Sequence, residues 1–312
     1  MSNGKYQNKS KGKQNQQSEQ NTILVIPEGN EIKDLLEESA SNLKLILEKY
    51  IRFNDFIPRK NDHPSKEKDN EKDNKLKDNK LITQAKNNVY KLVKNIASKE
   101  KKLEEINSYI KKLNERQKQI ADKSFTLTTK SRLIVGLGGG SALEVSIKLH
   151  FIYGFPYIPS SAIKGVLRAY KILEKVNFDF EKYSKFEKEI ESGNREDKEI
   201  GAFVRVFGNQ QYKGDLIILD AIPENFPRLE EDIMNPHYPK YYNDKEPPTD
   251  DQNPVPIKFL TVAKGEKFNF YFKNSQVYKE AFKTDLKEDL IQAFNYIGIG
   301  AKTGIGYGML DG

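Results

Sequence analysis

Cysteine is absent from the 312-residue chain. That excludes disulfides, thiolate zinc sites and cysteine nucleophiles, and it permits a reducing compartment. Histidine is nearly absent, with His63, His150 and His237 the full set. No stretch approaches the roughly 18 apolar residues that a membrane-spanning helix needs. Residues Met1 to Gln20 hold no apolar segment of the kind a secretory signal carries. A cytoplasmic protein without a membrane partner is therefore expected.

Positive charge is scarcer in the folded part than the total suggests. The formal net charge is +7. Lys5, Lys9, Lys11 and Lys13 against Glu19 give residues 1–22 a net of +3, and residues 58–80 contribute a further +2. The remaining chain is left with +2, so a nucleic-acid site there has to be a local patch and not a global field.

The same two segments also lack any apolar period. Residues 1–22 are built from Gln, Asn, Ser, Lys and Gly, and residues 58–80 contain a single apolar residue, Leu76. A disordered tail and a disordered, mixed-charge insertion are expected. Between and after them the apolar residues recur at three- and four-residue steps. Ile32, Leu35, Leu36, Leu43, Ile46, Leu47 and Tyr50 predict a helix over 31–51. Ile82, Ala85, Val89, Leu92, Ile96, Leu103, Ile106, Ile110, Leu113 and Ile120 predict a long helix over about 81–121 with a narrow seam. The two helices can form a hairpin, or the long one an intermolecular coiled coil. The expected division is a tail at 1–22, a helical region at 23–122 and a mixed domain at 123–312.

From residue 124 the texture changes. Phe125, Leu127, Leu133 and Val135 read as one strand, and Val145, Ile147, Leu149 and Phe151 as a second. A helix follows, with Ser160 or Ser161 as N-cap and Ile163, Val166, Leu167 and Tyr170 on its buried face. Residues 178–205 read as mostly helical. Leu216–Leu219 and Phe268–Phe272 read as strands, and Leu286, Leu290, Ile291 and Phe294 mark a last helix. This order does not fit a doubly wound sheet. It fits an α+β layer with an antiparallel sheet.

Three motifs carry chemistry. The first is the glycine run Gly136–Ser141, in which Gly138, Gly139, Gly140 and Ser141 are candidate phosphate contacts through exposed backbone N–H groups. A flexible turn is the alternative. It is no dinucleotide fingerprint, because Ser141 stands where a third glycine belongs and a strand, not a helix, is expected next. The second is the ladder Gly298, Gly300, Gly304, Gly306 and Gly308. Its glycines are read as structural, with Lys302 and Thr303 as phosphate donors. Close helix-to-strand packing is the alternative. The third is Met234-Asn-Pro-His-Tyr-Pro-Lys-Tyr-Tyr242, in which His237, Tyr238, Lys240 and Tyr241 combine stacking rings with cations. A tyrosine-packed loop is the alternative. Asp250 and Asp251 are read as turn residues and not metal ligands. Lys164 and Arg168, four apart on a helix face, complete the candidate cations. Two histidines could in principle cleave RNA by acid–base chemistry, but no spacing pairs them. Neither a catalytic residue, a metal nor a cofactor is expected.

The glycine run, the segment His150–Arg168, the tyrosine loop, the segment Pro254–Leu260 and the glycine ladder occur here in one order. Together they resemble the sixth-subunit family of the Cmr complex, the type III-B CRISPR effector, within the RAMP superfamily. The resemblance spans about residues 125–310 and leaves out the tail and the insertion. It implies a ferredoxin-like, RRM-related domain in a non-catalytic, RNA-binding subunit of an antiviral ribonucleoprotein. It further implies binding near the 3′ end of the guide RNA, capping of the backbone stack, contact with target RNA, and other Cmr subunits as partners. The alternative function is a stand-alone RAMP endoribonuclease that processes guide precursors.

Overall fold

The computed structural model describes residues 100–138, 147–235, 247 and 256–312. The tail at 1–22, the helix at 31–51, the insertion at 58–80 and residues 81–99 of the long helix lie outside the described residues.

The core is built on two strands with period-two burial. Strand β1 (Lys123–Thr129) turns Phe125, Leu127 and Thr129 to one face. It pairs antiparallel with β6 (Lys267–Lys273), whose Phe268, Phe270 and Phe272 are fully buried on the same side. Strands β2 (Ile217–Ile218) and β3 (Ile222–Pro223) are two short pieces that both pair with the outer edge of β6. On the other side of β1 lies β7 (Leu310–Asp311). The sheet thus runs β2/β3, β6, β1, β7, with every neighbour antiparallel. The α+β expectation holds.

Helices cover both faces. On the phenylalanine face lie α2 (Ser160–Lys175), α3 (Phe180–Ser192), α4 (Gly201–Phe207), α5 (Ser275–Phe282) and α6 (Leu286–Tyr296), sharing one apolar cluster with β1 and β6. Helix α2 buries Ile163, Leu167, Lys171 and Ile172, the four-residue stripe expected of one face. Helix α1 (Glu100–Ile120) lies on the opposite face, against Asn269 and Tyr271, which alternate with the phenylalanines along β6. Its seat is partly polar. Asn114 donates to the Pro223 and Ile110 carbonyls and accepts from the Asn269 amide and the Tyr271 hydroxyl. The apolar part is Ile106 and Ile110 against Phe155 and Ile222, with Leu113, Tyr153, Tyr157 and Phe226 packed around them. The heptad seam is therefore used within the chain over 100–120, and its last residue, Ile120, is exposed.

Several details differ from the sequence reading. The first strand stops at Thr129, and Leu133 instead bridges to Val262 of a second, two-stranded sheet, β4 (Leu229–Met234) with β5 (Ile257–Val262). The described residues 147–151 are no strand. Leu149 makes one bridge, to Pro156, because the chain turns back at 151–154. Neither serine caps α2. Pro159 holds the cap position with extended backbone, and the Ser160 N–H is satisfied by the Asp220 carboxylate at 2.7 Å. The helical stretch 178–205 is two helices, α3 and α4, separated by a turn in which the Asn194 side chain accepts from the Glu196 and Asp197 N–H groups. Helix α5 and the β4–β5 hairpin were not foreseen. Among the described residues, no helix is long and apolar enough to cross a membrane.

One ion pair is buried within the helical layer. Lys171 and Asp289 are 3% and 6% exposed, with Nζ 3.0 Å from Oδ2. The Tyr278 hydroxyl donates to the same carboxylate at 2.7 Å, Thr284 does likewise, and Glu174 takes a further hydrogen of the ammonium. Burial, and then the adjacent Asp289 charge, raise the Tyr278 pKa far above the ordinary phenol value. Asp289→Ala removes the buried partner and leaves the ammonium only the part-exposed Glu174, and is expected to cost roughly 3 kcal/mol. The check is a lower urea midpoint at unchanged m-value. Pairing it with Lys171→Met should recover most of the loss.

Candidate functional site

The glycine ladder meets the chain that leads into the glycine run. The ladder loop folds back on itself, with Ile299 N–H to Gly308 C=O at 2.9 Å. It also lies main chain on main chain against the segment that precedes the glycine run. Gly308 N–H donates to Arg132 C=O and Ala301 N–H to Ile134 C=O, each at 2.8 Å. Two positions need glycine for this. Gly300 has φ +95°, and a Cβ there would stand 2.2 Å from the Ile134 oxygen. Gly308 has φ +75°, and its Cβ would stand 2.0 Å from the Ile299 oxygen. Gly298 and Gly306 also have positive φ, whereas Gly304 departs from the expectation. It has no left-handed backbone and nothing within 4 Å of its Cβ position, so it is not structural. Gly138 is likewise open.

The β4–β5 hairpin closes a third side. Arg132 reaches Glu230 at 2.9 Å and Asp232 at 2.6 Å on β4. Tyr307 of the ladder donates its hydroxyl to the same Asp232. Burial alone would raise the Asp232 pKa, but hydrogen bonds from Tyr307, the Ile233 N–H and Arg132 outweigh it and hold the carboxyl below its ordinary value. The Tyr307 phenol is pushed up, first by burial and then by its bond to Asp232. Lys302 sits in the left-handed region at φ +60°, with its ammonium 5.4 Å from the centre of the Phe259 ring on β5. The ring centres of Phe259 and Tyr307 are 6.4 Å apart. Lys302 and Thr303 thus stand at a junction of the 132–136 segment, the glycine ladder and the hairpin. Arg132 and Asp232, which help fix that junction, carried no sequence signal, since their spacing along the chain is long and irregular, whereas Phe259 and Tyr307 lie inside the Pro254–Leu260 segment and the glycine ladder but were given no role.

The hairpin also delivers the third motif. Met234, its first residue, pairs with Ile257 at the open end of the two strands. His237, Tyr238, Lys240 and Tyr241 lie outside the described residues, as do Gly139, Gly140, Ser141 and the loop at 249–254.

Lys164 and Arg168 stand apart on α2, and among the described residues no hydrogen bond or ion pair joins them to the junction. Lys164 is half-buried. Burial, and then the neighbouring Arg168 charge, lower its pKa from the ordinary lysine value. Arg168 is committed within the chain: Nη1 to Glu187 at 2.7 Å and Nη2 to Glu191 at 2.8 Å, both on α3.

His150 belongs to an aromatic cluster and not to an acid–base pair. Its ring stacks on Tyr153 at 5.1 Å and Phe155 at 4.9 Å, and Tyr153 stacks in turn on Tyr109 of α1 at 4.7 Å. The Tyr153 N–H donates to Nδ1. Burial lowers the His150 pKa, opposed by the Asp220 charge. The imidazole is therefore neutral at pH 7 and helps seat α1. Among the described residues, no three His, Asp or Glu side chains are grouped to hold a metal ion.

Two outcomes test this geometry. Gly300→Val or Gly308→Val should displace the ladder and lower the melting temperature by several degrees, because each forces a clash with a carbonyl oxygen. Gly304→Ala should fall within about 0.5 kcal/mol of the parent. The second outcome concerns pH. Since the folded Asp232 pKa lies below its unfolded value, its contribution is present above the ordinary carboxylate range and is lost as pH falls through the folded pKa. Asp232→Asn should remove that part of the acid-induced destabilisation, measured by urea unfolding across pH.

A family model described as the RAMP superfamily matches residues 126–311. A CRISPR system Cmr subunit, Cmr6, of Pyrococcus furiosus is 38% identical over 58% of this chain and 65% of its own. Its namesake from Saccharolobus solfataricus is 28% identical over 60% of this chain and 56% of its own. The chain thus spans less than two thirds of either curated relative. Among solved structures, a crystal structure of Cmr6 from Pyrococcus furiosus aligns at a TM-score of 0.39 with 35% identity, covering 60% of this chain and 95% of that one. A cryo-EM structure of the type III-B Cmr-beta bound to cognate target RNA aligns at a TM-score of 0.48 with 23% identity, covering 79% and 76%.

Proposed function

The chain belongs to the RAMP superfamily, and on that premise we propose that it is a non-catalytic subunit of a type III-B CRISPR (Cmr) effector, binding guide RNA near its 3′ end and capping the stack of backbone subunits. The observation that carries the RNA reading is the junction where Lys302 and Thr303, the 132–136 segment and the β4–β5 hairpin converge. Bare backbone, a cation and a hydroxyl lie together there, which is what sequence-independent phosphate contact requires. The 38% identity with a Cmr6 supports the choice of complex. Partners on this reading are guide RNA, target RNA and other Cmr subunits, in the cytoplasm.

The ferredoxin-like reading is supported by the element order strand, helix, strand, strand, helix, strand, taken as β1, α2, β2/β3, β6, α6 and β7. The antiparallel order β2/β3, β6, β1, β7 agrees with it. The RAMP domain is assigned to 123–312, preceded by the helical region at 23–122 and the tail at 1–22. The glycine run 138–141 and the tyrosine loop with His237, Tyr238, Lys240 and Tyr241 extend the proposed RNA surface, and Lys164 and Arg168 form its second cationic group. The packing of His150 against Tyr153 and Phe155, with no second histidine beside it among the described residues, argues against an endoribonuclease.

Lys302→Ala and Lys164→Ala are expected to weaken RNA binding by assembled complexes. Each should lower the salt slope of log K by about 0.7, the worth of one phosphate that is no longer neutralised. The loss of affinity should be alike for unrelated guide sequences, since phosphates carry no base identity. Unchanged affinity and slope in both variants, with assembly intact, would sink the RNA role.

A further inference from the structure

Lys164 and Arg168 lie one turn apart on α2 and close enough for the charge of one to act on the other. They are treated differently by the rest of the fold. Among the described residues, Lys164 takes part in no ion pair or hydrogen bond, whereas Arg168 is held by two carboxylates. Glu187 and Glu191 are themselves one turn apart on α3, so both reach a single guanidinium. We propose that these two glutamates are specificity determinants of the RNA site: they occupy Arg168 in the free chain, so that only a phosphate backbone seated closely enough to displace them gains its guanidinium. This rests on the RNA-binding reading above.

Two observations carry it. The carboxylates are 40% and 41% exposed while the arginine side chain is 16% exposed, so the pair opens to solvent from the acidic side. Ion pairs of that exposure are weak enough to exchange. A bidentate guanidinium–phosphate contact is among the stronger charge-assisted bonds. Finally, Arg168 uses Nη1 and Nη2 toward the glutamates, and among the described residues its Nε–H makes no hydrogen bond. Two carboxylates offset two cations here, so diffuse attraction of any polyanion is suppressed. The gain is reserved for a strand lying along α2 with a phosphate at Arg168.

The experiment uses the full chain and a labelled single-stranded RNA of mixed sequence, with binding read by fluorescence anisotropy across a salt series. Glu187→Gln with Glu191→Gln should tighten binding roughly three- to tenfold, the worth of two part-exposed ion pairs. The salt slope should stay close to that of the wild type, since the same phosphates are neutralised once the glutamates are displaced. Adding Arg168→Ala should abolish the gain and lower the slope by about 0.7, as one phosphate contact is lost. Circular dichroism and melting controls guard against a misfolded variant, and Glu187→Gln alone provides a milder second test. A gain of equal size in the Arg168→Ala background would overturn the proposal, because it would then be a long-range charge effect. No gain, with Lys302→Ala still weakening binding, would also overturn it and leave Arg168 pinning α3 to α2, with the RNA reading intact. Absence of RNA binding by the wild-type chain would remove both.

Discussion

Two stretches of main chain, 132–134 and 299–308, lie against each other with no side chain between them, and the candidate surface depends on that contact. Gly300 and Gly308 make it possible, since a methyl group at either would occupy the volume of a carbonyl oxygen. Once the backbones are joined, Arg132 is directed to β4 and Tyr307 follows it to the same carboxylate. The hairpin is then fixed by charge, a hydroxyl and the main-chain bridge of Leu133 to Val262, while Met234 at its far end is the first residue of the tyrosine loop. Lys302 and Thr303 owe their position to the same loop. A cation on a surface of near-neutral net charge acts through placement and not through number.

The division of labour among the cations follows from what surrounds each one. Lys171 is buried and answered by a buried acid. Arg132 and Arg168 are answered by acids at the surface. Lys302 leans on an aromatic ring, and Lys164 is unanswered among the described residues. Ring contact and partial burial hold an ammonium in place without neutralising it, which leaves its charge for a ligand. A lysine paired with a carboxylate has given up that capacity unless the ligand competes.

Much of the fold was legible because burial writes a period into the chain. Leu127, Phe268 and Phe270 alternate, and Ile163 and Leu167 step by four, so β1, β6 and α2 could be read directly. The glycine ladder was legible as a whole through its density, but its members were not separable, because a clash with Ile134 or Ile299 is a property of space and not of spacing. Gly304 shows the limit. Ser160 shows another: a cap was expected from its own hydroxyl, and the helix start is satisfied instead by Asp220, sixty residues away. Arg132 and Asp232 were invisible for the same reason, each being ordinary in its own neighbourhood, and Tyr307 stood inside the ladder without a role of its own. The aromatic segment at 150–157 was visible, but as a motif without a role. Its rings turn out to seat α1.

That seat has a consequence for the order in which the chain acquires its structure. Asn114 finds its partners 109, 155 and 157 residues further along, at Pro223, Asn269 and Tyr271. The central strand β1 likewise has β6 and β7 as its neighbours in the sheet, and both come from the last fifth of the chain. A ribosome therefore releases α1 and β1 long before any surface exists to receive them. Contacts of such sequence separation close slowly. In the interval the apolar edges of β1 and the seam of α1 are open to other chains, so folding of this protein is set by how soon β6 follows and by what shields the waiting strand until it does.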